Sequence, residues 1–165
     1  MKPSKYSREV SQRIKTLASY VKDNLMIYDL CCDHGLIGYY ASRLKNVPAV
    51  IFVDQVPHII ASLQEKIDKF SYDQNFSTIC APAETIKLPP QPVNVIIAGV
   101  YSNTILKIAE KVPLNRPEDN YIFSPNSHFE SFEKDLSRLN VSVKEKLEIL
   151  EKNRKFPIYL CSGNT

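Results

Sequence analysis

A chain of 165 residues, 44% hydrophobic and 24% charged, has the length of one domain and the composition of a soluble globular protein. No apolar run approaches the roughly 18 residues that cross a bilayer. The basic start, MKPSKYSREV, has no apolar stretch behind it, so neither a membrane span nor a secretory signal is expected.

The net charge of +3 is too small to argue for a nucleic-acid partner, but its distribution is uneven. Residues 1–22 carry six basic side chains (Lys2, Lys5, Arg8, Arg13, Lys15, Lys22) against Glu9 alone, and the remainder nets −2. A basic N-terminal helix on a slightly acidic body could touch a phosphate backbone; an ordinary solvated helix face is the alternative. The four cysteines do not resemble a disulfide framework. Cys31 and Cys32 are adjacent, and Cys80 and Cys161 fall on strands expected to lie far apart, so reduced thiols in a cytoplasmic protein are expected.

In chain order, Val10, Ile14, Leu17, Ala18 and Val21 share one stripe and predict a helix over about Ser7–Val21. Ile27–Cys31 reads as a buried strand, Gly35–Leu44 as a helix and Ala49–Asp54 as a second strand. Pro57 suits a first helical turn, and Ile59, Ile60, Leu63, Ile67 and Phe70 carry its apolar face. A strand is predicted over Phe76–Cys80, a proline-rich loop over Ile86–Pro92, and a strand over Val93–Ala98. Next comes a helix over Ile105–Val112, capped near Asn103 or Thr104. After a loop over Pro113–Asn120, a strand spans Tyr121–Ser124. Ser127 and Glu130 read as a capping box for a helix faced by Phe129, Phe132, Leu136 and Leu139. Val141–Leu150 and Phe156–Cys161 predict a closing hairpin about Lys152–Lys155. Alternation of this kind predicts one α/β domain over residues 1–165, with residues 1–22 packed on it as a basic helix. Its sheet is mostly parallel and seven-stranded, with helices on both faces and a C-terminal antiparallel hairpin.

The chemistry gathers at Met26–Gly38, MIYDLCCDHGLIG, a strand, turn and helix of the kind that makes a ligand corner. Gly35, Gly38 and Gly99, three of the chain's four glycines, fall where strand ends open such a crevice. Cys31 and Asp33 occupy the first two glycine places of a dinucleotide turn, and a carboxylate there repels pyrophosphate. There is no phosphate-binding G-x-x-x-x-G-K-[ST] loop either. S-adenosylmethionine carries an ammonium, a sulfonium and a ribose diol but no phosphate. Asp29 and Asp33 are placed for its methionine end and Asp54 for its ribose hydroxyls. Each aspartate could instead be a turn or cap residue. Cys31, Cys32, Asp33 and His34 also spell a metal set, but consecutive residues leaving a strand point apart, and no metal is expected.

These residues resemble the TrmK-type bacterial tRNA adenine-N1-methyltransferases, a family of Rossmann-like class I methyltransferases. The resemblance rests on QRIKTLASYV (Gln12–Val21), DLCCDHG (Asp29–Gly35), VIIAG (Val95–Gly99) and FSPN (Phe123–Asn126), and runs from about Arg13 to Leu160. It implies methyl transfer from S-adenosylmethionine to N1 of an adenine in tRNA. Asp29, Cys31, Asp33, His34 and Gly35 would form the cofactor turn, with Asp54 and Gln55 at the ribose and adenine edge. Ala83 and Glu84 would lie near the adenine, and Ala98 and Gly99 would line the transfer site. Asp33 would supply an anion beside the reacting base. His34 would shape the pocket or relay a proton, or simply bond turn backbone. Tyr101 would stack on a base or cap the helix, and Asn126 would bond a base edge or cap the last helix.

The sequence departs from the family pattern at Cys31, which replaces a glycine, and at Pro82 or Ala83, where an acid is usual and Glu84 could substitute. Tyr101 and Ser102 replace two further glycines. The family also continues into a helical extension beyond the point corresponding to Thr165. A methyltransferase with another acceptor, or a non-catalytic RNA- or protein-binding module on the same fold, would share most of these features.

Overall fold

The computed structural model describes residues 10–70, 75–127 and 130–164. Residues 1–9, Phe129 and the Phe70 side chain, to which the sequence assigns helical places or basic charge, lie outside the described residues. The elements are α1 (Gln12–Ser19), β1 (Met26–Leu30), α2 (Leu36–Leu44), β2 (Val50–Asp54), α3 (Pro57–Phe70), β3 (Phe76–Cys80), β4 (Val93–Ala98), α4 (Ser102–Lys111), β5 (Asn120–Ser124), α5 (Phe132–Arg138), β6 (Val141–Glu151) and β7 (Arg154–Gly163). A 3-10 turn, Ala83–Thr85, precedes the proline-rich loop.

Seven strands form one sheet in the order β3-β2-β1-β4-β5-β7-β6. The first five run parallel, and β7 enters antiparallel between β5 and β6. The chain winds outward from β1 through β2 to β3, then returns to the other side of β1 as β4. Between β1 and β4 the winding reverses, and a crevice opens at the strands' carboxyl ends, as it does at such switch points.

Strand pleat divides the core into two layers. On one face Ile27, Val50, Phe52, Ile96 and Ile122 pack with Leu17 and Ala18 of α1, Ala41 of α2, and Ile60 and Leu63 of α3. On the other, Val93, Val95, Ile97, Tyr121 and Phe123 pack with Ile105 and Ile108 of α4 and Phe132 and Leu136 of α5. Near-continuous burial of β4 and β5 fits parallel strands covered on both sides. Asn94 and Asn120, both buried, tie the α1–β1 connection to the sheet. Asn94 accepts from Lys22 N and donates to the Lys22 and Leu25 carbonyls, and Asn120 donates to Tyr20 O and Asn94 Oδ1, all at 2.8–3.0 Å.

Element boundaries differ from the sequence pattern where capping decides them. Helix α1 starts at Gln12, after the non-helical Val10 and Ser11, because Ser11 Oγ accepts from Ile14 N at 3.3 Å; the expected helical places at Ser7–Glu9 lie outside the described residues. Helix α4 starts at Ser102, with Tyr101 at the cap position and no side-chain cap, so Asn103 and Thr104 lie inside the helix. Helix α5 starts at Phe132 after Ser131, so Ser127 and Glu130 form no capping box, and the buried Ser127 hydroxyl has no hydrogen-bond partner among the described residues. The hairpin is longer than its apolar runs suggest. Lys152 and Asn153 both take positive φ (50° and 59°), a two-residue turn whose twist matches paired strands, so pairing begins at Glu151–Arg154.

Candidate functional site

Strand β1 delivers the turn Leu30–Gly35 to the crevice. Three alternate residues, Cys31, Asp33 and Gly35, have left-handed backbone, with φ of 57°, 49° and 71°. Glycine adopts this conformation without penalty and aspartate tolerates it, whereas for cysteine it is uncommon. The turn therefore holds left-handed backbone at three positions, only the last of them glycine. Cys32 N donates to Val53 O at 2.9 Å, and Gly35 N to Cys32 O at 2.8 Å, which closes the turn against β2.

Asp29 is buried at the start of this turn. Its Oδ2 accepts from Gly38 N at 3.0 Å, and burial raises its pKa to about 7, with the Asp54 charge adding to the rise against the lowering effect of that hydrogen bond. Gly38 lies inside α2 and not in the loop. A Cβ there would stand 2.8 Å from Asp29 Oδ2 and from Phe52 Cε1, so a bare Cα lets α2 approach the strand.

Asp54 ends β2 and uses both oxygens locally. Oδ1 accepts from Val56 N at 3.0 Å and Oδ2 from Asp33 N at 3.1 Å. Asp33 and His34 are exposed side by side, with 3.8 Å between Oδ1 and Nε2. Burial first, and then the fields of Asp54, Asp29 and Glu84, push the Cys31 thiol up to about 12; the Cys32 thiol is raised more strongly by burial and by Asp29. All four cysteines are free, and among the described residues no three His, Cys, Asp or Glu side chains converge as metal ligands do.

The crevice has a volume of about 930 Å³. Asp29, Cys31, Asp33, His34, Asp54, Gln55, Ala83, Glu84, Ala98, Gly99 and Tyr101 all border it. Gly35 does not. It sits behind the turn, where a Cβ would meet Phe52 Cε1 at 3.0 Å and Leu63 Cδ2 at 3.1 Å, and serves to enter α2. Glu84 pairs with Lys107 of α4 at 3.0 Å, and its carboxyl is held below the ordinary value by a backbone N–H and by Lys107. Among the described residues, no heavy atom beyond its own chain neighbours lies within 4 Å of a Cβ position at Gly99, so the crevice reaches the backbone itself. Tyr101 is 62% exposed at the mouth.

The opposite wall is basic, and local sequence did not reveal it. Arg13 of α1 donates to Ser124 Oγ at 3.1 and 2.9 Å, to Ser124 O at 2.8 Å and to Asn126 Oδ1 at 3.1 Å. Its guanidinium also lies 4.1 Å from the centroid of the Phe156 ring. Arg13 is thus a clamp joining α1 to the ends of β5 and β7, not the free phosphate contact that its place on a basic helix suggests. Asn126 donates to Gly99 O at 2.8 Å, and so caps no helix. Arg154, from the start of β7, donates to Asn126 O, lies 5.0 Å from the Phe156 centroid and borders the crevice with Glu151. The only sequence signal for this wall was the run of basic residues at the hairpin.

The fold is similar to those of several solved structures. Over 94% of this chain and 67% of the other, the fold matches the B. subtilis m1A22 tRNA methyltransferase TrmK with a TM-score of 0.82 at 19% identity. M. capricolum TrmK in complex with S-adenosyl-homocysteine matches over 94% and 70% of the two chains, TM-score 0.79, also at 19% identity. A putative tRNA (m1A22) methyltransferase of Streptococcus pneumoniae, in complex with S-adenosyl-L-methionine, matches over 95% and 75%, TM-score 0.81, at 16% identity. Among curated proteins, carboxy-S-adenosyl-L-methionine synthase of Desulforapulum autotrophicum is 25% identical over 93 residues, 55% of this chain. That match spans 38% of the relative's length. The family described as methyltransferase domain matches residues 10–159, and the chain belongs to it.

Proposed function

We propose that the chain is an S-adenosylmethionine-dependent methyltransferase acting on N1 of an adenine in tRNA, with residues 1–165 working as one domain in the cytoplasm. The observation that carries this reading is the acidic floor of the crevice. Asp29, Asp33, Asp54 and Glu84 come from three separate stretches of chain and border one cavity. A pyrophosphate would meet carboxylates there, whereas a ligand with an ammonium, a sulfonium and a diol finds acceptors. The residues fit such a ligand: the volume is within the usual range for small-molecule sites, and backbone is open to it at Gly99. Family membership and the folds of the bacterial tRNA methyltransferases support the same reading.

Asp29 and Asp33 would hold the methionine end, with Cys31 and Gly35 giving the turn its shape. Asp54 and Gln55 would hold the ribose and adenine edge, and Ala83 and Glu84 would flank the adenine. When bound, the donor supplies an electrophilic methyl group at a sulfonium centre. The chain's contribution is to position the acceptor in line and to keep water out. Adenine N1 attacks through a lone pair, so no proton must leave first, and the methylated base is cationic. The exposed Asp33 carboxylate offers that base an anion, and His34 beside it shapes the pocket. Ala98 and Gly99 leave room at the transfer point, and Tyr101 presents a ring on which an unstacked base can lie. Held protonated by burial and by its acidic neighbours, the Cys31 thiol is a poor nucleophile and does not compete for the methyl group.

Incubation with methyl-labelled donor and bulk tRNA, followed by nucleoside analysis, tests this reading. Label in N1-methyladenosine is expected. Label in protein or small molecules instead would reassign the acceptor.

A further inference from the structure

The crevice is electrically two-ended. Its floor carries Asp29, Asp33 and Asp54, whereas the opposite rim is built by α1 and the β6–β7 hairpin. At the hairpin tip, Lys152, Arg154 and Lys155 are exposed, with Glu151 the acid beside them. The tip is stiff: two consecutive residues with positive φ make a tight turn between long paired strands. Arg154 is oriented further by its bond to Asn126 O and its place over the Phe156 ring. This holds it close enough to Arg13 for the two like charges to oppose each other, and the Glu151 carboxylate, whose field at Arg13 is the larger, offsets that repulsion. With Glu151 serving Arg13, the three basic side chains of the tip against that one acid leave the hairpin end positive.

We propose that the hairpin tip, Lys152, Arg154 and Lys155, is the surface that grips the acceptor's phosphate backbone and sets the target base over the crevice. The proposal rests on the RNA-methyltransferase reading and adds to it the part of the chain that meets the nucleic acid. Lys152 and Lys155 do not border the crevice and so can be altered without touching the donor floor, whereas Arg154 stands on its rim. A polyanion approaching the crevice is repelled by the floor and attracted by the tip. Its backbone stays at the rim, and only a neutral base can enter.

The test is binding of the full chain to bulk tRNA by fluorescence anisotropy from 50 to 200 mM KCl, for wild type, Lys152→Gln/Lys155→Gln, Arg154→Gln and Arg154→Lys. Each lost phosphate contact should flatten the slope of log K against log salt by roughly 0.7–0.9, so the double variant should lose about 1.5 in slope and at least fivefold in affinity. Arg154→Gln should lose about half that slope change, and Arg154→Lys, which keeps the charge, should retain the wild-type slope. Calorimetric donor binding reports in parallel that each variant is folded. Wild-type slopes in the double variant and in Arg154→Gln, with tRNA still bound, would overturn the hairpin assignment alone. A folded wild-type protein that binds donor but no tRNA would overturn the RNA reading and this proposal with it.

Discussion

The Asp54 carboxylate accepts a hydrogen bond from the backbone N–H of Asp33 at 3.1 Å, so the acid ending β2 also fastens the turn leaving β1. The same side chain accepts from Val56 N with its other oxygen. Removing it altogether would loosen the turn as well as remove a ligand acceptor. Asp54→Asn removes the charge and keeps one of the two bonds, so melting temperature reports what the turn loses and donor affinity is read on the fraction that stays folded.

Asp29 gives the account its pH dependence. In the folded chain its proton is held to about pH 7, whereas an unfolded chain releases it near the ordinary value of 3.8. Between those values the native state binds more protons than the unfolded state, so rising pH lowers stability, and the penalty is complete above about pH 7. Asp29→Asn should therefore melt higher than wild type at pH 8, with the advantage shrinking towards pH 4. A nearby ligand cation favours the ionised carboxylate, so donor affinity of wild type should fall as pH drops below about 7. Melting curves and titrations across pH check both.

Gly38 is decided by space. Alanine is the better helix former by about 1 kcal/mol, but its Cβ would stand 2.8 Å from Asp29 Oδ2 and Phe52 Cε1. Overpacking of that kind costs about 1–3 kcal/mol, so Gly38→Ala should be net destabilising by about 1 kcal/mol in denaturant unfolding.

Cys31 stands at a left-handed position. Cys31→Val should destabilise by about 2 kcal/mol, since a branched side chain adds crowding to a conformation that already costs 1–2 kcal/mol. Cys31→Gly should be tolerated. Equal losses in both would mean that packing, not backbone, sets the residue.

Arg13→Ala should cost about 2–3 kcal/mol, because a half-buried guanidinium bonded to Ser124 and Asn126 is removed and the Ser124 carbonyl loses a donor. A surface phosphate contact would show almost no loss of stability.

The strands and the acids at their ends were legible because both are local. Apolar runs such as Val93–Ala98 and Tyr121–Ser124 mark buried strands, and an acid at the end of a strand arrives at the crevice by topology. Helix starts were less legible. Helix α4 begins behind Tyr101 with no side-chain cap to mark it, and Ser127 beside Glu130 matched a capping pattern that the fold does not use. Arg13 read as a free basic residue because its partners, Ser124 and Asn126, lie 111 and 113 residues away. The basic rim was hidden for the same reason: it forms only when the hairpin returns beside β5.

The most direct test is calorimetric titration of the folded chain with S-adenosylmethionine, for wild type and Asp54→Asn. One donor should bind per chain, with at least a tenfold loss in Asp54→Asn, whose single oxygen can keep only one of the bonds from Asp33 N and Val56 N, so its melting temperature should fall modestly while the chain stays folded. No binding by folded wild type, or equal affinity in the two proteins, would contradict the assignment of the acidic floor to a cationic donor.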